Sequence, residues 1–231
     1  MPHNYYDATG VLILDQVTPV IAALFGGFAL DATHVDQGEV SITRLSSLHD
    51  PQWSEINDSL CALASRLGVV LDEVRTGDQP TLPSCLRQLA VYFHVAQDLT
   101  LGRLIATHAF DGSADVETLF AIASRFDDGH GLKAIKFEGA WHSGKPRPFP
   151  FGGEGLYISR EVTMCTHSTQ ARELGQYLHA ALLAGNLDQA ASRLAVEVFG
   201  LLAGIGDRTI RDALRLQLAN RLLDGNIAPT A

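Results

Sequence analysis

The sequence predicts an α+β protein in which a mixed sheet of about four to five strands has flanking helices and a C-terminal three-helix pack. Two observations predict this class. Apolar and polar residues alternate, with the period of a half-buried strand, in four short stretches at residues 11–15, 40–45, 132–138 and 156–165. Elsewhere apolar residues recur at three- and four-residue steps, which is the period of an amphipathic helix.

The first seventy residues predict a β-α-β-α unit. Residues 11–15 form its first strand, and Pro19 occupies the first position of the helix that follows. The alternation returns at residues 40–45, after which Pro51 opens a second helix with one apolar face. The first few residues of the chain and the tail from Asn226 are expected to lie outside the fold.

The rest of the chain divides into a core and a helical end. Residues 1–167 are predicted to form the α+β core, with a helical insertion near residues 80–125 and a long, proline-containing connection between the last two strands. Residues 168–231 are predicted to form the three-helix pack, continuous with that core.

The middle C-terminal helix, over residues 187–203, is apolar on more than one side. A helix of this kind has to be covered on both sides. Either its neighbours in the chain cover it, or a second subunit covers part of it. The second arrangement would make the protein a homodimer through its C-terminal helices.

The charge is concentrated in the N-terminal half of the chain. The whole chain has a net charge of −9, and residues 1–128 alone hold 17 acidic side chains against 6 arginines. Such a field repels nucleic acid phosphates and favours basic protein partners, so direct nucleic acid binding is not expected. The alternative is an acidic surface that serves only solubility.

Composition indicates a cytoplasmic protein. The N-terminus has no charged leader followed by an apolar run, and no apolar stretch is long enough to span a membrane. Three widely spaced cysteines argue against a disulfide framework and fit a reducing compartment. No cofactor is expected.

A Gly- and Pro-rich segment over residues 126–160 contains all three lysines of the chain and many of its aromatic residues. Aromatic and cationic side chains together are typical of protein contact surfaces. The predicted binding residues are Lys136, Trp141, His142, Lys145, Arg147, Phe149, Phe151, Tyr157 and Arg160. The alternative is that Phe149 and Phe151 anchor the segment to the core.

One nucleotide-binding motif can be rejected in this segment. Gly139, Gly144 and Lys145 have the spacing of a phosphate-binding loop. The next residue is Pro146, which has neither a hydroxyl for Mg²⁺ nor a backbone N–H, and the prolines after it prevent the required helix.

Metal binding is the second hypothesis for this region. Side chains competent to bind a metal are Asp127, Asp128, His130, His142, Cys165 and His167. Their spacing matches no compact ligand motif, so the fold would have to assemble them. The enzymatic alternative is a metal-assisted hydrolase with a site near Asp127, Asp128, His130 and His142; the other interpretation of the two aspartates is a turn.

The stretches FDDGHG, IKFEGAWHSGKPRPF and FGGEGLYISREV, with the opening NYYDATGVLILDQVTPVI, resemble uncharacterised accessory proteins of bacterial integrative and conjugative elements. The resemblance implies a mobile-element context and no catalytic residue. With the acidic charge, it leads to the expectation of a non-enzymatic binding protein, an inhibitor of a host defence or nucleic-acid-handling complex. Its partner would be a protein with a basic nucleic-acid-binding surface.

Overall fold

The computed structural model describes residues 4–31, 38–45, 49–71, 80–144 and 150–224. The chain divides into two compact units, which we call unit 1 (Met1–Gly153) and unit 2 (Glu154–Ala231). The predicted α+β class is confirmed, with 51% of the described residues in helices and 23% in strands.

The sheet has five strands in the order β2-β1-β3-β4-β5 and is antiparallel rather than mixed. The strands are β1 (Asn4–Ile13), β2 (Glu39–Leu45), β3 (Ala134–Ser143), β4 (Phe151–Ser159) and β5 (Thr163–His167). The α-helices in the described part of unit 1 are α1 (Pro19–Phe25), α2 (Trp53–Arg66), α3 (Leu82–Tyr92), α4 (Leu99–Thr107) and α5 (Val116–Ala123). Those of unit 2 are α6 (Gln170–Leu183), α7 (Leu187–Ala203) and α8 (Arg208–Asp224).

Three predicted strands have different limits in the structure. β1 begins at Asn4, seven residues before the predicted start, and β3 continues to Ser143. The single strand predicted at residues 156–165 is a hairpin of two strands. The Ser159 hydroxyl makes that turn, because it accepts the backbone N–H groups of Glu161 and Val162 at 3.1 and 3.0 Å.

β1 lies between β2 and β3 and pairs with both. Leu12 faces Val40 on β2 and Ile135 on β3, and all three side chains are fully buried. Because side chains alternate along a strand, the residues directly before and after each of these three project from the other side of the sheet. We call the side of Leu12 the covered face, and the side of Thr9 and its partners the open face.

The core of unit 1 joins the covered face to the buried sides of its helices. α1 packs on α2 and on α5, and α2 packs on α3. Among the largest fully buried side chains are Trp53, Phe25, Phe28 and Phe126. Full burial of a large apolar side chain stabilises the fold by about 1.5–3 kcal/mol.

Aspartate and threonine side chains begin the helices of the insertion. Thr81, Asp98 and Asp115 accept backbone N–H groups at the starts of α3, α4 and α5. At Asp98 the N–H of Leu101, at 2.8 Å, lowers the pKa of the carboxyl, and the Arg125 guanidinium lowers it further. These caps satisfy backbone donors that a helix leaves free at its start.

The hairpin and the helices of unit 2 are joined through the turn between α7 and α8. The backbone N–H of Thr163 donates to the carbonyl of Gly204 at 2.7 Å, and that of Gly206 donates to the carbonyl of Glu161 at 2.8 Å. A Cβ on Gly204 would collide with the Thr163 carbonyl. Glycine is therefore needed there for close backbone approach.

Among the described residues, none of the helices combines the length and the apolar character that crossing a bilayer requires.

We expect Gly204→Ala to destabilise unit 2 by about 1–3 kcal/mol, because the added methyl group forces backbone segments apart. Gly200→Ala is the matched control. Gly200 lies on α7, and a Cβ added there would meet no other atom within 4 Å, so this substitution should stabilise the helix by about 0.5–1 kcal/mol. Urea unfolding followed by circular dichroism measures both. Equal effects of the two substitutions would contradict the close contact at Gly204.

Candidate functional site

Three aromatic rings stand side by side on the open face of unit 1. The Tyr5 and His142 rings are stacked, with centroids 4.8 Å apart and planes 17° from parallel. The Phe151 ring follows at 6.4 Å from His142. Tyr5 is 38% exposed and Phe151 is 74% exposed. We call Tyr5, His142 and Phe151 the ring row.

Strand register brings the ring row together. Tyr5 on β1 and His142 on β3 are direct partners in the antiparallel ladder, so their side chains leave the same face. The backbone N–H of Ser143 donates to the carbonyl of Pro150 at 2.9 Å, which holds the start of β4 beside the end of β3. The three rings therefore come from three neighbouring strands.

Trp141 does not join the ring row, although the sequence placed it in the same contact surface. It precedes His142 on β3, so its side chain leaves the covered face. Its indole fills the space beside Gly152, where an added Cβ would collide with the ring. Trp141 thus packs against the neighbouring strand, as an anchor of the β3–β4 pair.

Two lysines of the 126–160 segment are paired with carboxylates: Lys136, which is among the predicted binding residues, and Lys133, which is not. The ammonium group of Lys136 lies 2.6 Å from the Glu39 carboxylate, and that of Lys133 lies 2.7 Å from the Asp15 carboxylate. Exposed pairs of this kind add only about 0–1 kcal/mol of stability, but they neutralise the charge locally.

The remaining predicted binding residues fall into two groups. Lys145, Arg147 and Phe149 lie outside the described residues. Tyr157, on β4, and Arg160, in the turn between β4 and β5, belong to unit 2, and both are exposed. The ring row thus contains two of the nine predicted binding residues, His142 and Phe151, together with Tyr5, which the sequence analysis missed.

Asp127, Asp128 and His130 make structural hydrogen bonds. Asp128 accepts the hydroxyl of Thr18 and, at 3.1 Å, the backbone N–H of Val20, so it caps the start of α1. Asp127 accepts the N–H of Gly129 at 2.9 Å and closes a local turn.

His130 is fully buried and both of its ring nitrogens have backbone partners. Its Nδ1 accepts the N–H of Leu132 at 2.8 Å, which leaves the proton on Nε2 to be donated to the carbonyl of Ala123 at 3.1 Å. A metal ion could bind His130 only if one of these bonds broke. His142, the fourth residue of the hydrolase hypothesis, is stacked in the ring row.

Another set of possible metal ligands does converge in the described part of the chain. Glu154, Cys165 and His167 of unit 2 offer donor atoms that all lie within 4.8 Å of one another. Cys165 and His167 are among the metal-competent residues predicted from the sequence, whereas Glu154 is not. The sequence signal for this set is the separation of Cys165 and His167 by two residues within a strand, because that spacing puts both side chains on the same side.

The helices of unit 2 expose most of their apolar side chains. Ala181 and Ala190 are the buried residues of α6 and α7, and α8 has none. The large exposed side chains are Tyr177, Leu182, Leu183, Leu187, Leu194, Val196, Phe199, Leu201, Ile210, Leu214, Leu216, Leu222 and Leu223. Monomeric proteins rarely expose apolar patches of this extent.

Comparisons of the chain with protein-family models, with curated proteins and with solved structures find no match.

Proposed function

We propose that the chain is a non-enzymatic protein-binding protein, and that the ring row of unit 1 is its contact surface for a protein partner. The observation that carries this proposal is the exposure of the Tyr5 and Phe151 rings on one sheet face, with the half-buried His142 ring between them. Exposed aromatic side chains supply much of the binding energy of protein interfaces. Because strands hold Tyr5, His142 and Phe151, little conformational entropy is lost when they are covered.

The charge of unit 1 favours a basic partner. Unit 1 contains 18 acidic side chains against 10 lysines and arginines, and two of those lysines are paired with carboxylates. A field of this sign slows the approach of nucleic acids and accelerates the approach of basic proteins. A partner that normally holds DNA or RNA on a basic surface fits this charge.

The resemblance to accessory proteins of integrative and conjugative elements supports a more specific version of the proposal. In that context the partner is a host defence or nucleic-acid-handling complex in the cytoplasm, and the chain inhibits it by occupying its nucleic-acid-binding surface. This version rests on the resemblance and on the acidic charge, and the ring row would add the apolar contact.

We also propose that the apolar helices of unit 2 pair with a second copy of the chain. Leu187, Leu194 and Leu201 recur every seven residues on one side of α7, and Val196 projects from the opposite side. Unit 2 has 8 acidic and 7 basic side chains, so two copies would approach without strong repulsion. Homodimers are the commonest way in which soluble proteins cover such a face.

The contact surface can be tested by capture from a bacterial lysate. A partner that docks on the ring row should be retained by the parent chain and lost by Tyr5→Ala and by Phe151→Ala, each weakening binding about tenfold. Leu99→Ala is the matched control, because Leu99 is an exposed apolar residue of unit 1 on α4.

A partner with a basic nucleic-acid-binding surface should also be displaced by added DNA or RNA at low salt. Recovery of the same proteins by the parent and by both ring variants would contradict the proposed surface. Loss of the partner in Leu99→Ala as well would mean that the ring row has no special role.

Self-association is tested separately by sedimentation velocity. The parent chain should sediment as a dimer, and Leu201→Glu should shift it to a monomer, because the substitution places a charge in an apolar interface. Leu99→Glu adds the same charge to unit 1 and should leave the dimer intact. If the parent chain sediments as a monomer at micromolar concentration, the proposed pairing of unit 2 helices between two copies is excluded.

A further inference from the structure

Three side chains with different donor atoms meet on the β4–β5 hairpin of unit 2. His167 Nδ1 lies 3.4 Å from the Glu154 carboxylate, and Cys165 Sγ lies 3.7 Å from His167 Nε2. Cys165 and His167 are exposed, and the Glu154 side chain is partly exposed. A thiol, an imidazole and a carboxylate are therefore within reach of one small ion and of solvent.

The backbone of the hairpin fixes this arrangement. Glu154 and His167 are direct partners in the antiparallel register, so their side chains project from the same side of the hairpin. Cys165 precedes His167 by two residues on β5 and leaves that same side. The strand ladder fixes the three Cα positions, so rotations of exposed side chains are enough to close the donors around an ion.

The distances fit a tetrahedral ion after small adjustments. Zinc binds sulfur, nitrogen and oxygen at about 2.0–2.3 Å, which places neighbouring donors of a tetrahedral site about 3.3–3.8 Å apart. The separations from His167 to Glu154 and to Cys165 fall in this range. They involve different ring nitrogens, and the imidazole binds the ion through one of them, so one of the two separations applies to the site. The three donor atoms together lie within 4.8 Å of one another, so the exposed side chains have to rotate closer on binding.

We propose that Glu154, Cys165 and His167 form a binding site for Zn²⁺ or a divalent ion of similar softness, with the fourth position open to water. The thiolate favours such an ion over Mg²⁺ and Ca²⁺, which take oxygen ligands. Cys165 loses its proton on binding, so affinity rises with pH. This site is independent of the proposed protein contact on the ring row.

Titration of the full chain with Co²⁺ tests the site, because cobalt bound to a thiolate absorbs light by charge transfer and tetrahedral cobalt has strong visible bands. We expect one Co²⁺ per chain, displaced by equimolar Zn²⁺ and not by Mg²⁺. Cys165→Ser should abolish the charge-transfer absorption. His167→Gln and Glu154→Gln should each weaken the affinity about tenfold or more, since even the loss of an outer partner costs about 10–100-fold.

Cys61→Ser is the matched control, because Cys61 is a half-buried thiol on α2 and should leave the spectrum unchanged. All variants alter exposed or half-buried side chains, and far-ultraviolet circular dichroism checks that each is folded. The proposal is overturned by the absence of a charge-transfer band in the parent chain. A band that survives Cys165→Ser, or an affinity unaffected by both His167→Gln and Glu154→Gln, would overturn it too.

Discussion

The antiparallel register between β1 and β3 is the constraint on which unit 1 depends. Ten residues of each strand pair, from Asn4 with Ser143 to Ile13 with Ala134, although 121 residues or more separate the partners along the chain. Because side chains alternate, a slip of one residue would exchange the two faces along the whole ladder. Burial of Leu12 beside Ile135 opposes such a slip, since it would move apolar side chains into water.

This register places a packing residue and an exposed row of rings on opposite faces at one end of the sheet. Trp141, on the covered face, fills the space beside Gly152 and ties β3 to β4. His142, the next residue, stacks on Tyr5 on the open face. In unit 2 the same alternation places Cys165 and His167 on one side of β5. Glu154, the direct partner of His167 on β4, projects from that same side. Adjacent residues of a strand can therefore serve different purposes.

The fold class could be predicted because local periodicity marks helices and strands. The N-terminal part of β1 could not be predicted in this way, because Tyr5 and its neighbours show little alternation of apolar and polar residues. They are held by pairing with residues of β3, which lie far along the chain. β4 and β5 were predicted as one strand because the turn at Ser159 lacks glycine and proline and depends on a side-chain hydroxyl. For the site, His142 and Phe151 were predicted from composition, whereas Tyr5 joins them only through strand pairing.

The register can be measured directly through proton–proton contacts between assigned aromatic rings in solution. We expect nuclear Overhauser effects between the ring protons of Tyr5 and those of His142, because the two ring centroids are 4.8 Å apart. Contacts between Tyr5 and Trp141 in place of these would show a register shifted by one residue. That result would turn the ring row away from the open face and contradict the contact surface proposed for unit 1.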